Sequence, residues 1–400
     1  MKARTLGSLA QAVAGTASEP TVQVDSVVTD SRMAAPGSLF VALVGDRVDG
    51  HGFVADAAAN GAAAVMVRRG ADVMTPAVFV EDTGTALLAL AADERLAFEG
   101  TVVAITGANG KTTTKDLTAA VAAARFRTHA SPDSFNTEVG VPLTLLRTPE
   151  DTEVIVAELG ARHVGDVALL CPVADPQIVV VTNVGVAHME IFGSWEAIVA
   201  ASAEPVEALR ADAVAVLNAD DPVVASYASR TIARVRTFGR SADADVRAED
   251  VVVGHDGCAG FDVAVGHERA AVSLGIPGEH MVANALAAIA VGIELGIPLE
   301  TCAEALAGAR ITRWRMETTR TSGGVTVVND AYNASPESMA AALRTARWMA
   351  QDGRLIAVLG QMAELGPIAA AEHEKVGELA ARLHVDRLVT VGTEAKAVAV

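Results

Sequence analysis

The sequence predicts an α/β protein of three domains, the central one a parallel sheet wound with helices on both faces. Three observations predict it. Short apolar runs bounded by glycine, proline and polar residues alternate with longer runs of helical character. A glycine-punctuated turn, Thr106-Gly107-Ala108-Asn109-Gly110-Lys111-Thr112-Thr113-Thr114, joins one apolar run to a helical one. The alternation starts afresh near residues 99 and 312, and 400 residues suggest two or three cores.

Residues 1–98 read as a small α/β unit. Residues 22–29 and 39–43 are strand-like, with Pro36-Gly37 as the turn between them. Residues 53–60 read as a helix closed by Gly61, residues 62–67 as the next strand, and residues 86–97 as a second helix leading towards Gly100. Residues 99–311 form the central domain. Its apolar strands are 102–105, 154–159, 178–181, 213–217 and 233–238, and the first leads through the glycine turn into a helix over 117–125. Sheets of this kind bind ligands at the carboxyl ends of their strands. Residues 246–276 change to short β-type runs with glycine turns and suggest a small antiparallel appendage. Helices over 281–295 and 299–309 follow, separated by Gly296-Ile297-Pro298. In residues 312–400, strands are expected over 325–329, 355–359 and 388–391, and helices over 336–349 and 369–383.

Composition narrows the function classes. Hydrophobic residues make up 51% and aromatic ones 4%, so the cores are built from Ala, Val and Leu. No run of about 18 apolar residues is present, so no membrane span is expected. The start, Met1-Lys2-Ala3-Arg4, lacks the apolar stretch of a signal peptide. Cys171, Cys258 and Cys302 are widely spaced and odd in number, which fits small buried residues in a reducing cytoplasm. A net charge of −18 speaks against nucleic-acid partners. Five lysines occur, Lys2, Lys111, Lys115, Lys375 and Lys396, leaving a long lysine-free interval.

The glycine turn carries the chemistry. Between a strand and a helix it aims backbone N–H groups at one point, where the helix N-terminus adds partial positive charge. Lys111 adds a full charge, and the Thr112 hydroxyl can ligate Mg²⁺. That is a site for nucleotide phosphates; the bland alternative is an ordinary strand–turn–helix corner. The spacing Gly107-x-x-Gly110-Lys111-Thr112 is shorter than the Walker form, which needs a glycine where Ile105 stands. A generic P-loop kinase or GTPase is therefore disfavoured. Glu158 and Asn183 end two further strands and His188 follows in the loop, so all three are expected on the same edge. A carboxylate and a neutral imidazole there are Mg²⁺-ligand candidates. Alone, Glu158 also reads as a solvated strand end and His188 as a structural histidine. The polar segment from Ser134 to Pro142 reads as a loop crossing that edge.

Together these pieces resemble the Mur ligase family, over nearly the whole chain from about Asp30. The turn itself, Asn136-Thr137-Glu138-Val139-Gly140-Val141-Pro142, Glu158-Leu159-Gly160-Ala161-Arg162 and Thr182-Asn183-Val184-Gly185-x-Ala187-His188 match its central blocks. Pro277-Gly278-Glu279-His280-x-x-x-Asn284-Ala285-Leu286-Ala287-Ala288 resembles its adenine-binding helix, and Arg315-Met316-Glu317 its hinge into the third domain. Thr29-Asp30-Ser31-Arg32-x-x-x-Pro36-Gly37-x-Leu39-Phe40-Val41-Ala42-Leu43 with Asp49-Gly50-His51 resembles the UDP-sugar-binding first domain of the later ligases. Asn329-Asp330-Ala331-Tyr332-Asn333-Ala334-Ser335-Pro336-Glu337-Ser338-Met339 resembles the block of the branch that adds D-alanyl-D-alanine.

The resemblance implies three domains: a UDP-sugar-binding domain (1–98), a central ATP-binding ligase domain (99–311) and a Rossmann-like third domain (312–400), here with fewer strands than the family carries. It implies an ADP-forming ligase that joins D-alanyl-D-alanine to UDP-N-acetylmuramoyl-tripeptide through an acyl phosphate, with ATP and Mg²⁺, acting as a cytoplasmic monomer in peptidoglycan synthesis. By the same resemblance Gly107, Ala108, Asn109, Gly110, Lys111, Thr112 and Thr113 surround the phosphates. Thr112, Glu158 and His188 hold metal. His280 and Asn284 contact adenine, Asp330 the ribose and Arg315 the phosphates. Ser31, Arg32 and His51 lie near the uridine diphosphate, Asn333 and Ser335 near the dipeptide, and Asn136 in the substrate site. Lys111, Glu158 and His188 are the catalytic set.

Two positions depart from the family pattern. Ser202 stands where most members place a carbamylated lysine, and no nearby lysine replaces it; Glu204 sits two helical steps, roughly 200°, further round. Gln361 stands where an acidic residue is usual. These departures and the short third domain motivate a second reading, a nucleotide- and UDP-sugar-binding relative with weakened catalysis. The site is complete only when the third domain meets the second, so a rotation about residues 310–316 is expected. Small-angle scattering should show a smaller radius of gyration with nucleotide and UDP-tripeptide than without; an unchanged radius would remove the rotation.

Overall fold

In the computed structural model, residues 1–45 and 47–399 are described. The chain divides into two compact units. One comprises residues 1–102, 127–159 and 169–175, and the other residues 103–126, 160–168 and 176–400.

The first unit contains a five-stranded sheet in the order Thr16–Ala17, Ala77–Val80, Ala64–Arg68, Ser38–Val41, Ser26–Val28, parallel except at the Thr16–Ala17 edge. Period-two alternation explains why both faces are buried. Leu39, Val41 and Met66 pack with Leu6, Leu9, Leu87 and Leu90, while Phe40, Val65 and Val67 pack with Ala57 on the other side. The expected strand over 22–29 is two pieces, Gln23–Val24 and Ser26–Val28, broken at Asp25, whose N–H turns to the Gly37 carbonyl. The first helix, Leu6–Ala12, and the strand Ala77–Val80 were not expected. Thr128–Ala130 and Val154–Glu158 pair in parallel, and Leu143, Leu146 and Ile155 join the Leu87 core. The polar segment expected to be a loop through Pro142 becomes helical from Gly140, as Gly140–Leu146, because every residue of that helix is buried.

In the second unit the strand ending at Thr106 pairs in parallel with Ile178–Val181, followed by Val214–Asn218 and Arg234–Gly239. Residues 246–276 are not a separate appendage. Val246–Val253 pairs in parallel with Arg234–Gly239, so the antiparallel strands Cys258–Val265 and Glu268–Pro277 extend the same sheet. The alternating burial of Val246–Val253 gives it a core face, which is what holds it on that edge. The helix after the glycine turn is Lys111–Ala123, six residues earlier than expected. Thr112, Thr113 and Thr114 are poor helix formers, but all are buried, and packing overrides propensity. Beyond residue 312 the three expected strands are present as Thr326–Asn329, Ile356–Leu359 and Arg387–Thr390; the last two pair in parallel, and an unexpected fourth strand, Glu317–Arg320, forms a hairpin with Thr326–Asn329. Helices Pro336–Ala350 and Ala369–Arg382 supply Met339, Leu343, Val376 and Leu379 to a core with Ala357 and Met362. No helix among the described residues is long and apolar enough to cross a membrane.

One buried cation organises the first unit. Arg95 donates to the carbonyls of Ala174 (2.8 Å), Asp175 (2.8 Å) and Phe98 (3.1 Å). It thereby neutralises the carboxyl end of the helix Asp166–Ala174. Arg95→Met should leave these carbonyls unpaired and cost about 2–4 kcal/mol. Urea denaturation followed by far-UV circular dichroism measures that loss.

Candidate functional site

The backbone of the glycine turn is held by its neighbours. Gly107 has φ 131° and Gly110 φ 79°, the left-handed side that disfavours a side chain. Space forbids one as well: a Cβ at Gly107 would stand 2.1 Å from Thr182 Oγ1, and one at Gly110 2.5 Å from Asn284 Oδ1. The Asn109 carbonyl accepts from Thr182 Oγ1 (2.7 Å) and Asn183 Nδ2 (3.0 Å). Its N–H donates to Asn183 Oδ1 (2.8 Å), and Ala108 N–H donates to the Asn183 carbonyl (2.9 Å). The strand end at Asn183 thus grips the turn on both sides. Thr113, like Thr112, is buried in the first helical turn, where the helix dipole is positive. Lys111 Nζ donates to the carbonyls of Gly107 (2.8 Å) and Ala108 (3.3 Å), so its charge sits over the turn.

A cavity of about 40 Å³ opens beside the turn, lined among others by Lys111, Asn183, His188, Phe192 and Ser202. His188 has φ 61° and starts the short helix Met189–Phe192. Its Nδ1 is hydrogen-bonded to a carboxylate oxygen of Glu364, whose other oxygen accepts from Arg162. Partial burial works against ionisation of Glu364, but the hydrogen bonds from His188 and Arg162 outweigh it and hold its carboxyl below the ordinary range. Ser202 turns inward: Oγ lies 3.0 Å from the Val199 carbonyl and 2.5 Å from the buried Tyr227 hydroxyl. Glu204 accepts from the N–H groups of Gly165 (2.6 Å) and Ala168 (2.9 Å), so it serves the helix start there instead of standing in for a carbamate.

Residues beyond 312 reach this turn. Arg315 donates to Thr112 Oγ1 (3.2 Å) and lies 4.2 Å over the Tyr332 ring, and its buried Nε has no partner. Trp314 (φ 61°) and Met316 (φ 50°) flank it in the left-handed region, a strained pair at the expected hinge. Ser335 Oγ donates to Asn109 Oδ1 (2.7 Å), and Asn109 Nδ2 to Glu337 (3.3 Å). Asp330 accepts from Met316 N–H (3.0 Å); burial raises its carboxyl pKa, and that bond together with Arg315 only partly offsets the rise. Asn333 is exposed.

Asn284 is buried against the turn helix, accepting from Thr114 Oγ1 (3.2 Å). His280 folds over Gly278, and crowding by protein lowers its pKa to about 4. The residue stays at the protein surface, and its imidazole is neutral at pH 7.

In the first unit Glu158 is 1% exposed; Oε1 accepts from Asn136 Nδ2 (2.8 Å) and Oε2 has no partner. A buried carboxylate oxygen without a donor is a ready ligand for a hard cation. Arg32 pairs with Asp30 (2.6 Å) beside buried Ser31. His51 uses both ring nitrogens, Nδ1 with Asp49 (2.7 Å) and Nε2 accepting from Arg68 N–H (3.0 Å). Among the described residues no three His, Cys, Asp or Glu side chains gather as a metal cage. The structure thus brings together Lys111, His188, Arg315 and Ser335 around one turn. Sequence reasoning missed Glu364, Arg162 and Glu337. Arg162 and Glu337 lie in segments that resemble family blocks, whereas Glu364, three residues past Gln361, carries no local signal of its contact with His188.

The chain matches the Mur ligase middle domain over residues 105–292, the glutamate ligase domain of Mur ligases over 314–400 and the Mur ligase family catalytic domain over 23–96. It is 41% identical to the UDP-N-acetylmuramoyl-tripeptide–D-alanyl-D-alanine ligase of Mycobacterium tuberculosis, over 97% of this chain and 83% of that protein. The Bacillus subtilis protein of that name is 37% identical over 97% and 85%. Among solved structures, MurF from Acinetobacter baumannii superimposes with a TM-score of 0.93 at 31% identity, covering 100% of this chain and 88% of that one. MurF ligase from Thermotoga maritima in complex with ADP gives 0.83 at 30% identity, over 94% and 86%.

The crowding at Gly110 gives a direct test. Gly110→Ala adds left-handed strain of about 1–2 kcal/mol and a collision with Asn284. Calorimetric titration with ADP and magnesium should show binding weakened at least about tenfold.

Proposed function

The chain belongs to the Mur ligase family, and from that premise we propose how its own residues carry out ligation. It is an ATP-dependent, ADP-forming ligase of peptidoglycan synthesis that joins D-alanyl-D-alanine to UDP-N-acetylmuramoyl-tripeptide. The observation that carries the site reading is the turn itself: a backbone-clamped glycine loop with Lys111 over it and Arg315 reaching Thr112.

The reaction brings two anions together, the tripeptide carboxylate and the ATP triphosphate. The carboxylate oxygen attacks the γ-phosphorus and ADP leaves; the dipeptide amine then attacks the acyl carbon, phosphate leaves and the amine proton passes to solvent. No covalent enzyme species is needed, so positioning and charge neutralisation are the protein's work. Lys111, the first-turn N–H groups and the unpartnered Nε of Arg315 offset the phosphate charge. Magnesium, when bound, would supply positive charge that offsets the phosphates, and Thr112, Glu158 and His188 would hold it. The orphaned Oε2 of Glu158 fits that role, and Asn136 fixes the other oxygen. Neutral His280 with Asn284 would face adenine and Asp330 the ribose. Ser31, Arg32 and His51 would face the uridine diphosphate, and Asn333 and Ser335 the dipeptide. The enzyme would act in the cytoplasm, with a rotation about residues 310–316 bringing Arg315 and Ser335 to the turn.

Phosphate release from ATP should require both UDP-N-acetylmuramoyl-tripeptide and D-alanyl-D-alanine. Lys111→Ala should abolish it, and Arg315→Ala should lower kcat by about 10²-fold, the scale of one lost charge-stabilising donor. Release independent of the dipeptide would favour the weakened relative instead.

A further inference from the structure

Glu364 lies beyond the hinge, in the segment Leu359 to Gly366, yet its contacts are with two loops of the nucleotide domain. Its carboxylate takes His188 Nδ1 on one oxygen and the Arg162 guanidinium on the other. Its carbonyl accepts from Glu190 N–H (2.9 Å), two residues past His188. Gly366, at φ 55°, is pressed against Glu190, where a Cβ would stand 3.0 Å from the Glu190 side chain. Glu364 itself is held at φ 61°, a conformation that costs a non-glycine residue stability. A loose surface ion pair would show neither the backbone hydrogen bond and close packing at Glu190 nor this strain.

We propose that Glu364 is a positioning residue that fixes the proton of His188 on Nδ1. An ionised carboxylate only accepts, so the nitrogen it holds must carry the hydrogen. In the neutral ring Nε2 is then left as the sole lone-pair nitrogen. No partner for Nε2 is present among the described residues, and His188 lines the cavity that Lys111 also lines. A lone-pair nitrogen there accepts a cation or a proton; an N–H there would repel a cation. Because Glu364 arrives from across the hinge, His188 acquires this tautomer only when the third segment is docked. The consequence for metal binding rests on the reading of His188 as a magnesium ligand; the tautomer does not.

The test is the His188 ring ¹⁵N spectrum of the intact, histidine-labelled chain, recorded over a pH series so that the neutral-ring signals are the ones compared. The signals are assigned by their disappearance in His188→Gln. The wild type should show a protonated Nδ1 and an unprotonated Nε2. Glu364→Gln keeps an acceptor oxygen and should preserve the pattern, whereas Glu364→Ala should move it towards the Nε2–H form. An Nε2–H ring in the wild type overturns the proposal without recourse to any variant, and so does an unchanged spectrum in folded Glu364→Ala. Manganese affinity in the presence of ADP, read by electron paramagnetic resonance, should fall about 10–100-fold in Glu364→Ala. A shifted tautomer with unchanged manganese affinity supports the positioning role and removes His188 from the metal's ligands.

Discussion

The structure depends on how Asn183 and Thr182 hold the backbone of Asn109. A phosphate-binding turn must leave N–H groups unsatisfied, and an unsatisfied turn is free to collapse onto its own carbonyls. The end of the neighbouring strand prevents this by occupying the Asn109 carbonyl twice and its N–H once. The turn leads directly into the helix Lys111–Ala123, whose N-terminus is the positive end of its dipole. The Asn109 side chain, on the same turn, meets Ser335 and Glu337. One residue therefore joins the glycine turn to the segment that starts the helix Pro336–Ala350.

The departures from the family pattern acquire a physical meaning in this frame. Ser202 is short enough to turn into the fold and meet Tyr227 and Val199, so it supplies neither the charge nor the reach of a carbamylated lysine. Glu204 is consumed by the start of the helix Asp166–Ala174. In the first unit the buried carboxylate is Glu158; in the second, Glu364 stands behind His188. Charge is thus concentrated in few groups, each held by a named partner: Asn136 for Glu158, Arg162 for Glu364.

Much of the fold was legible because the buried strands are continuous Val, Ile and Ala runs, and a doubly covered sheet demands that pattern. What escaped has common causes. The strand Glu317–Arg320 is polar because most of it is exposed, so no apolar period marks it. The helix Gly140–Leu146 opens with residues that favour turns, and burial alone makes it helical. The early start at Lys111 runs through three threonines that packing, not propensity, holds in place. The strands of residues 246–276 were visible, but their union with the main sheet was not, since backbone pairing at Phe238 and Gly239 leaves no mark in composition.

The sequence by itself determined the phosphate turn, its lysine and threonine, the strand-end carboxylate and histidine, and the family these belong to. Each is a local pattern, set by residues adjacent in the chain or by the strand-then-turn order. Only the tertiary structure decided which partner each polar group meets: Glu364 for His188, Arg315 for Thr112, Ser335 for Asn109 and Tyr227 for Ser202. These pairs lie 25 to 226 positions apart. Hydrogen bonds over such separations exist only after the folded sheets and helices have set the distances, because their directionality is satisfied by the folded backbone and by nothing local to either residue.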